Sequence, residues 1–320
     1  MDENNNVPIL YLILPCFNEE EILLKTTEET DKKINQLIEQ DKISNLSRVL
    51  YVDDGSIDNT WNIIEDIHSQ NKRFCGLKFS KNKGHQNALF AGLMFAKDKS
   101  DITISMDADL QDDLDVIDEM INEYGKGSQI VYGIRSSRQS DSFFKKFTAE
   151  NFYRFMAFLG VEIVFNHADC RLMSKKSLNA LEEYEEVNLF LRGIVPQLGF
   201  KTSNVYYERN KRELGQSKYP FKKMVKFAFE GITSFSIRPL KMITSLGFIM
   251  AIFSFIVMVY ALIVKILGSA VSGWTFIIIS IWLVSGIQML SIGILGEYVG
   301  KMYIETKKRP RYIIEKELFD

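Results

Sequence analysis

Cysteine, histidine and proline are all scarce in this chain of 320 residues, which has three Cys, three His and six Pro. Cys16, Cys75 and Cys170 are odd in number and far apart. That excludes a disulfide framework and a zinc site of the usual ligand spacing, and fits free thiols in a reducing compartment. An excess of one charge is also missing: Lys+Arg total 39 against Asp+Glu 41, a net charge of −2. There is then no global basic field to gather nucleic acid, and no nucleic-acid partner is expected. Neither GxGxxG nor GxxxxGK[ST] occurs, which removes the two commonest glycine-rich phosphate cradles. No internal repeat or low-complexity tract is visible. Met1 to Val7 is polar and acidic, without the basic flank and apolar run of a secretion signal.

What is present suits a folded protein, with 46% hydrophobic and 25% charged residues. A mean hydropathy of −0.05 hides an asymmetry, because long uncharged runs are confined to the last third. No charge lies between Lys241 and Lys265, nor from Ile266 to Gly296. As a helix, Met242 to Val264 reaches roughly 35 Å, enough for a bilayer core of about 30 Å. Gly268 to Gly273 would turn the chain, giving a hairpin of two transmembrane helices. Lys222, Lys223, Lys226, Arg238 and Lys241 precede it, and Lys301, Lys307, Lys308, Arg309 and Arg311 follow, against Lys265 alone near the turn. That bias puts both termini and the soluble part in the cytoplasm of a multi-pass cell-membrane protein. The expected organisation is a soluble domain over 1–220, a juxtamembrane amphipathic helix over 221–240, two spans over 241–297 and a cytoplasmic tail over 298–320. A hydrophobic hairpin buried in a globular core is the alternative.

The soluble part alternates. Leu10 to Leu14 reads as a strand and Glu19 to Gln40 as a helix. The pattern repeats as Arg48 to Val52 then Asp58 to His68, Gly76 to Phe79 then Gln86 to Lys97, and Asp101 to Met106 then Asp113 to Tyr124, before a last strand at Gln129 to Ile134. This predicts an α/β domain, a mostly parallel sheet flanked by helices, with ligands beyond the carboxyl ends of the strands. Ser136 to Leu159 and Phe221 to Ile237 mix basic and aromatic residues, as either surface helices at a membrane or amphipathic core helices would.

Asp107 and Asp109, two residues apart at a strand end, can take a divalent cation against a diphosphate, or form a solvated turn ahead of the next helix. Asp53 and Asp54 stand beside Gly55 after a β-rich run, where carboxylates can accept from an imide or ribose hydroxyls; Asp58 suits a helix cap. The blocks Leu14-Pro15-Cys16-Phe17-Asn18-Glu19-Glu20, Val52-Asp53-Asp54-Gly55-Ser56-Ile57-Asp58, Asn82-Lys83-Gly84-His85-Gln86-Asn87-Ala88-Leu89 and Asp107-Ala108-Asp109-Leu110-Gln111-Asp112 resemble, in order and spacing, those of family 2 inverting glycosyltransferases. With Asp169-Cys170-Arg171-Leu172-Met173, Leu191-Arg192-Gly193, Gly215-Gln216-Ser217-Lys218-Tyr219, Ser234-Phe235-Ser236 and Gly296-Glu297-Tyr298-Val299-Gly300, nearly the whole chain looks like the polyprenyl-phosphate branch, the bactoprenol glucosyltransferases and dolichol-phosphate mannose synthases.

The resemblance implies a GT-A type nucleotide-diphospho-sugar transferase domain followed by the transmembrane hairpin. It implies transfer of a hexose, glucose by default, from a UDP-sugar to undecaprenyl phosphate with inversion. Asp53 would hold the uracil or ribose, with Pro15, Asn18 and Glu19 shaping the base pocket and Asp54, Lys83 and Gln111 completing the nucleotide-sugar site. Asp107 and Asp109 would bind Mg²⁺ or Mn²⁺, and Asp109 and Asp169 would be catalytic. Asp169 would act as a base, orient the acceptor or steady positive charge on the sugar; a lipid phosphate is anionic already, so proton removal is not essential. A salt bridge from Asp169 to Arg171 or Arg192 is its structural alternative. Arg209, Arg212, Ser217 and Lys218 are expected on the lipid phosphate, the alternative being attraction to anionic membrane lipid. His85 and His167 are read as structural. Two departures from the family are Asp113 where proline is common and Cys170 where phenylalanine is common. A homo-oligomer, up to a tetramer, is implied. The alternatives in function are the same reaction with UDP-GlcNAc or GDP-mannose, or a non-catalytic nucleotide-binding membrane adaptor. A processive synthase is disfavoured, since no Gln-x-x-Arg-Trp block occurs.

Overall fold

The computed structural model describes residues 7–135, 167–187, 189–207, 238–266 and 273–319. The alternation takes the form β1 (Leu10–Cys16), α1 (Leu23–Glu39), β2 (Arg48–Asp53), α2 (Thr60–Gln70), β3 (Phe74–Phe79), α3 (His85–Ala96), β4 (Ile102–Ser105), α4 (Val116–Gly125) and β5 (Ile130–Arg135). After these come β6 (His167–Ser174), α5 (Lys175–Glu182), α6 (Leu191–Gln197), β7 (Thr202–Tyr207), α7 (Arg238–Ile266), α8 (Trp274–Thr306) and β8 (Ile314–Leu318). Every strand and helix expected before residue 135 is present.

The sheet has eight strands in the order β7-β5-β6-β4-β1-β2-β3-β8. β1 pairs in parallel with β2 and β4, β2 with β3, and β5 with β7. Its centre is buried on both faces, so β1 reads Leu-Tyr-Leu-Ile-Leu-Pro-Cys with no exposed position. α3 lies close against it: a Cβ on Gly92 would meet Ile13 Cγ2 at 2.5 Å.

Two strands run the other way. β6 is antiparallel to β4 and β5, and β8 is antiparallel to β3. The first reversal matters for function, because it brings the start of β6, not its end, to the carboxyl edge of β4. The second gives part of the expected tail a place in the sheet. Three buried cysteines are free.

The chain divides into two compact units. One contains 1–153, 162–219 and 309–320, the other 154–161 and 220–308. In the second, α7 has 29 residues and α8 has 33, and apolar side chains such as Phe248, Phe253, Tyr260 and Met289 are exposed. Among the described residues no helix is long and apolar enough to cross a membrane, so the expected transmembrane hairpin is not established by the fold. The segment Ser136 to Leu159 and the juxtamembrane stretch Phe221 to Ile237 lie outside the described residues.

Candidate active site

The loops after β1, β2 and β3 are bonded to one another. Asn18 turns the chain at φ 55°; its N–H donates to Ser56 Oγ at 2.9 Å and its Oδ1 accepts from the Ile57 amide at 3.0 Å. The Glu19 amide donates to Thr60 Oγ1 at 2.9 Å. Asp58 Oδ1 accepts from the Thr60 amide at 3.0 Å, a turn bond just ahead of α2; the N-cap position itself is Asn59, which makes no side-chain cap bond, so the cap expected of Asp58 is not formed. Gly55 sits at φ +69°, and a Cβ there would lie 2.5 Å from the Lys81 carbonyl carbon, so only glycine lets the third loop approach. Pro15 is buried near the end of β1 and pairs with Val52.

Asp53 ends β2 with no solvent exposure. Its Oδ1 accepts from the Ser56 amide at 3.0 Å and from the Ser56 hydroxyl, whereas Oδ2 is buried without a partner. Burial raises its pKa, against the lowering effect of those Ser56 bonds. A buried carboxylate oxygen without a donor is costly, which marks it for a ligand N–H or O–H. Asp54 is spent differently: Oδ1 accepts from the Lys83 amide at 2.6 Å and Oδ2 from the Gly84 amide at 2.8 Å. Burial raises its pKa as well, opposed by these two amides. Through them Asp54 fixes the start of α3, and with it Lys83 and His85.

The acidic centre lies beyond β4 and β6. Asp169, third residue of β6, is anchored where Ser105 donates its hydroxyl to the Asp169 carbonyl at 2.6 Å. Arg192 grips both carboxylate oxygens, Nε to Oδ1 at 3.0 Å and a terminal nitrogen to Oδ2 at 2.9 Å. His85 Nε2 stands 3.3 Å from Asp169 and 3.9 Å from Asp107. Burial works to raise the Asp169 pKa, but His85 and Arg192 outweigh it and hold the carboxyl well below the usual range. The imidazole of His85 is raised: burial lowers it, and hydrogen bonding and attraction to Asp169 and Asp107 prevail. Asp107 is raised, chiefly by burial. One ligand atom each from His85, Asp107 and Asp169 fall within 4.8 Å of one another, a donor set suited to a divalent cation that accepts oxygen and imidazole ligands.

Asp109 lies in the turn after Asp107, where the Gln111 amide donates to its Oδ1 at 3.1 Å and Leu110 adopts φ 54°. Gln111 is buried. Arg135, last residue of β5, bonds the buried Asp112 at 2.9 Å and reaches Asp107 at 3.5 Å. Thus Asp107 and Asp169 come together, Asp109 and Gln111 border them, and Pro15, Asn18, Glu19, Asp53, Asp54 and Lys83 form the adjoining loops. Arg209, Arg212, Ser217 and Lys218, like the side chain of His167, lie outside the described residues.

Three members of the centre were not singled out by sequence as site residues. His85, read as structural, bridges two carboxylates; its position just after the third strand was the signal available. Arg192 enters the sequence reading only as a salt-bridge partner of Asp169, and that bridge exists. Nothing in the sequence marked Arg135. Cys170 turns to the opposite sheet face from Asp169, as neighbours in a strand do; a Cβ on Gly133 would lie 3.0 Å from its sulfur.

A mixed α/β sheet with a carboxylate-rich centre and a loop cage at its carboxyl edge is a GT-A-like fold. The description of glycosyl transferase family 2 matches residues 11–182, and the chain belongs to that family. It is 50% identical over 313 residues to the glycosyltransferase YkoT of Bacillus subtilis (strain 168), covering 98% of this chain and 93% of that one. It is 38% identical over 310 residues to the prophage bactoprenol glucosyl transferase homolog of Escherichia coli (strain K12), covering 95% and 98%. Among solved structures, glucosyl-3-phosphoglycerate synthase from Mycobacterium tuberculosis shares 17% identity at a TM-score of 0.42, over 71% of this chain and 78% of that one. That likeness is too distant to bear on function.

Proposed function

We propose that the chain transfers a hexose, glucose first, from a UDP-sugar to undecaprenyl phosphate with inversion, making a polyprenyl-phosphate sugar. The observation that carries this reading is the Asp107, Asp169 and His85 cluster at the carboxyl edge of β4 and β6. Relatives named as bactoprenol glucosyl transferases, at 37 to 38% identity over nearly their whole length, support the choice of acceptor and sugar.

Asp53 offers its open oxygen to the imide or ribose of the nucleotide. Asp107, with Asp109 beside it, would hold Mg²⁺ or Mn²⁺, whose charge offsets that of a departing UDP. Arg192 and His85 keep Asp169 ionised, so it is a poor proton acceptor near neutral pH. Its work is to orient the acceptor and steady positive charge developing on the sugar, while the phosphate oxygen attacks in line. Arg209, Arg212, Ser217 and Lys218 are the proposed lipid-phosphate contacts.

The uncharged runs between Lys241 and Gly296 and the exposed apolar side chains of α7 and α8 support a transmembrane hairpin, with both termini and the catalytic domain cytoplasmic and protomers associating as homo-oligomers. Retention in the membrane through alkaline extraction, and protease access to both termini only from the cytoplasmic side, are the expected results.

The reaction is tested by UDP release from purified protein with Mn²⁺ and UDP-glucose, with and without undecaprenyl phosphate, beside UDP-GlcNAc and GDP-mannose. Lipid-dependent turnover that vanishes in Asp109→Ala is expected. Nucleotide binding with no lipid-dependent turnover from any donor would sink the transferase reading in favour of a membrane adaptor.

A further inference from the structure

β8 does more than lengthen the sheet. The Ile313 carbonyl accepts from the Ser80 amide at 3.1 Å, and Tyr312 stacks on Phe79 with ring centroids 4.9 Å apart. Phe319 meets Phe95 of α3 edge-on at 5.5 Å. Just before the strand, the Arg311 guanidinium lies 4.4 Å from the ring centroid of Phe90, which is buried on α3. The same guanidinium donates to the Tyr184 carbonyl at 2.5 Å. Tyr184 belongs to the segment between α5 and α6, and Arg311 therefore links that segment to α3.

Nearer the centre α3 meets α6 itself, where the Leu191 amide at the start of α6 donates to Gln86 Oε1 at 3.0 Å. Each residue next to that bond reaches the same carboxylate: His85 precedes Gln86, Arg192 follows Leu191, and both contact Asp169. The alignment of the two cations on Asp169 thus depends on the spacing of α3 and α6. Arg311 bears on that spacing from the far side: its cation lies on the face of Phe90 in α3 and bonds the carbonyl of Tyr184, just past α5 at the head of the segment that leads into α6.

We propose that Arg311 is a positioning residue for the active site, acting through Phe90 and Tyr184 to keep His85 and Arg192 in register on Asp169. The proposal rests on the reading of that cluster as the catalytic centre, and its first readout needs no turnover. In the full chain purified in detergent, Arg311→Ala is expected to speed amide hydrogen exchange about tenfold in 85–93 and 189–195, with the rest of the sheet unchanged. Lys316→Ala, on β8, removes a pair with Glu65 of α2 and should leave both segments as they were. In UDP release, Arg311→Ala should lower kcat about tenfold with the KM for UDP-glucose nearly unchanged, and Arg311→Lys should recover most of the loss. Exchange unchanged in both segments, or equally fast throughout the domain, would overturn the proposal. So would an equal effect from Lys316→Ala, or a loss confined to KM. Absence of turnover in the wild type with altered exchange in the variant would count against the transferase reading and leave the positioning role standing.

Discussion

The loop cage after β1 to β3 and the acidic centre after β4 and β6 occupy the same edge of one sheet, yet they are held by different physics. In the cage, carboxylates and hydroxyls bond backbone amides: Asp54 to Lys83 and Gly84, Asn18 to Ile57, Asp53 to Ser56. In the centre, charges hold charges: Arg192 and His85 on Asp169, Arg135 on Asp112 and Asp107. Amide bonds set a shape that neither pH nor a bound ion readily changes. Charge pairs leave Asp107 crowded by Asp169 and Asp112, its pKa raised by burial first and by those neighbours after, so a cation brought there would relieve strain. Cage residues should then move stability, and centre residues should move turnover.

Asp107→Asn is the sharpest break of that rule. Turnover should fall at least ~10³-fold, since it removes charge from where a diphosphate and its cation meet. The melting temperature should hold or rise, because a partly buried charge crowded by Asp169 and Asp112 is lost; a drop of many degrees would make Asp107 a scaffold residue. Gly55→Ala should do the reverse. A Cβ at 2.5 Å from Lys81 backbone, at a positive φ, should cost about 3 kcal/mol or more in denaturant titration. A stable, active variant would show that the cage tolerates a shift of the third loop.

How much of this could be read in advance follows the same division. The parallel core was legible because β1 to β4 are short apolar runs separated by helices with apolar residues at a 3.6-residue period. The placement of Asp53, Asp54, Asp107 and Asp109 was legible because they stand at or shortly beyond strand ends, the edge where such sheets bind ligands. The meeting of Asp169 with Asp107 was not, since it needs β6 to run antiparallel to β4, and strand direction leaves no mark on a sequence of eight residues. Arg135 and Arg192 were hidden for a related reason, as each reaches the centre across more than twenty residues of chain. β8 was obscured by its composition: Ile-Glu-Lys-Glu-Leu has three charged residues in a row, which suit an edge strand but lack apolar alternation, and it follows a cluster of Lys and Arg that reads as a tail.

Asp54→Asn sharpens the comparison within the cage. An asparagine keeps one acceptor and turns an NH₂ toward an amide N–H, so one of the two bonds becomes a clash of donors. A loss of about 1–3 kcal/mol is expected, along with a raised KM for the nucleotide sugar as the start of α3 loosens. Unchanged stability with lost turnover would instead make Asp54 a ligand contact.

The smallest effect belongs to a charge pair outside both regions, and it asks whether ion pairing alone gives acid sensitivity. Asp118 on α4 takes Lys33 and Lys42 of the α1 side at 2.5 Å each. Burial raises its pKa, but the bonds to the two lysines outweigh this and leave it below the ordinary value. A carboxyl depressed on folding contributes stability that is present above its unfolded pKa of about 3.9 and disappears as pH falls through the folded value. Asp118→Asn should therefore cost at most ~1 kcal/mol at pH 7, since the pair is partly solvated. The difference between wild type and variant should narrow below about pH 4. A difference that persists undiminished at pH 2.5 would mean that Asp118 acts by packing, and that acid sensitivity in this fold has to be sought among the other carboxylates.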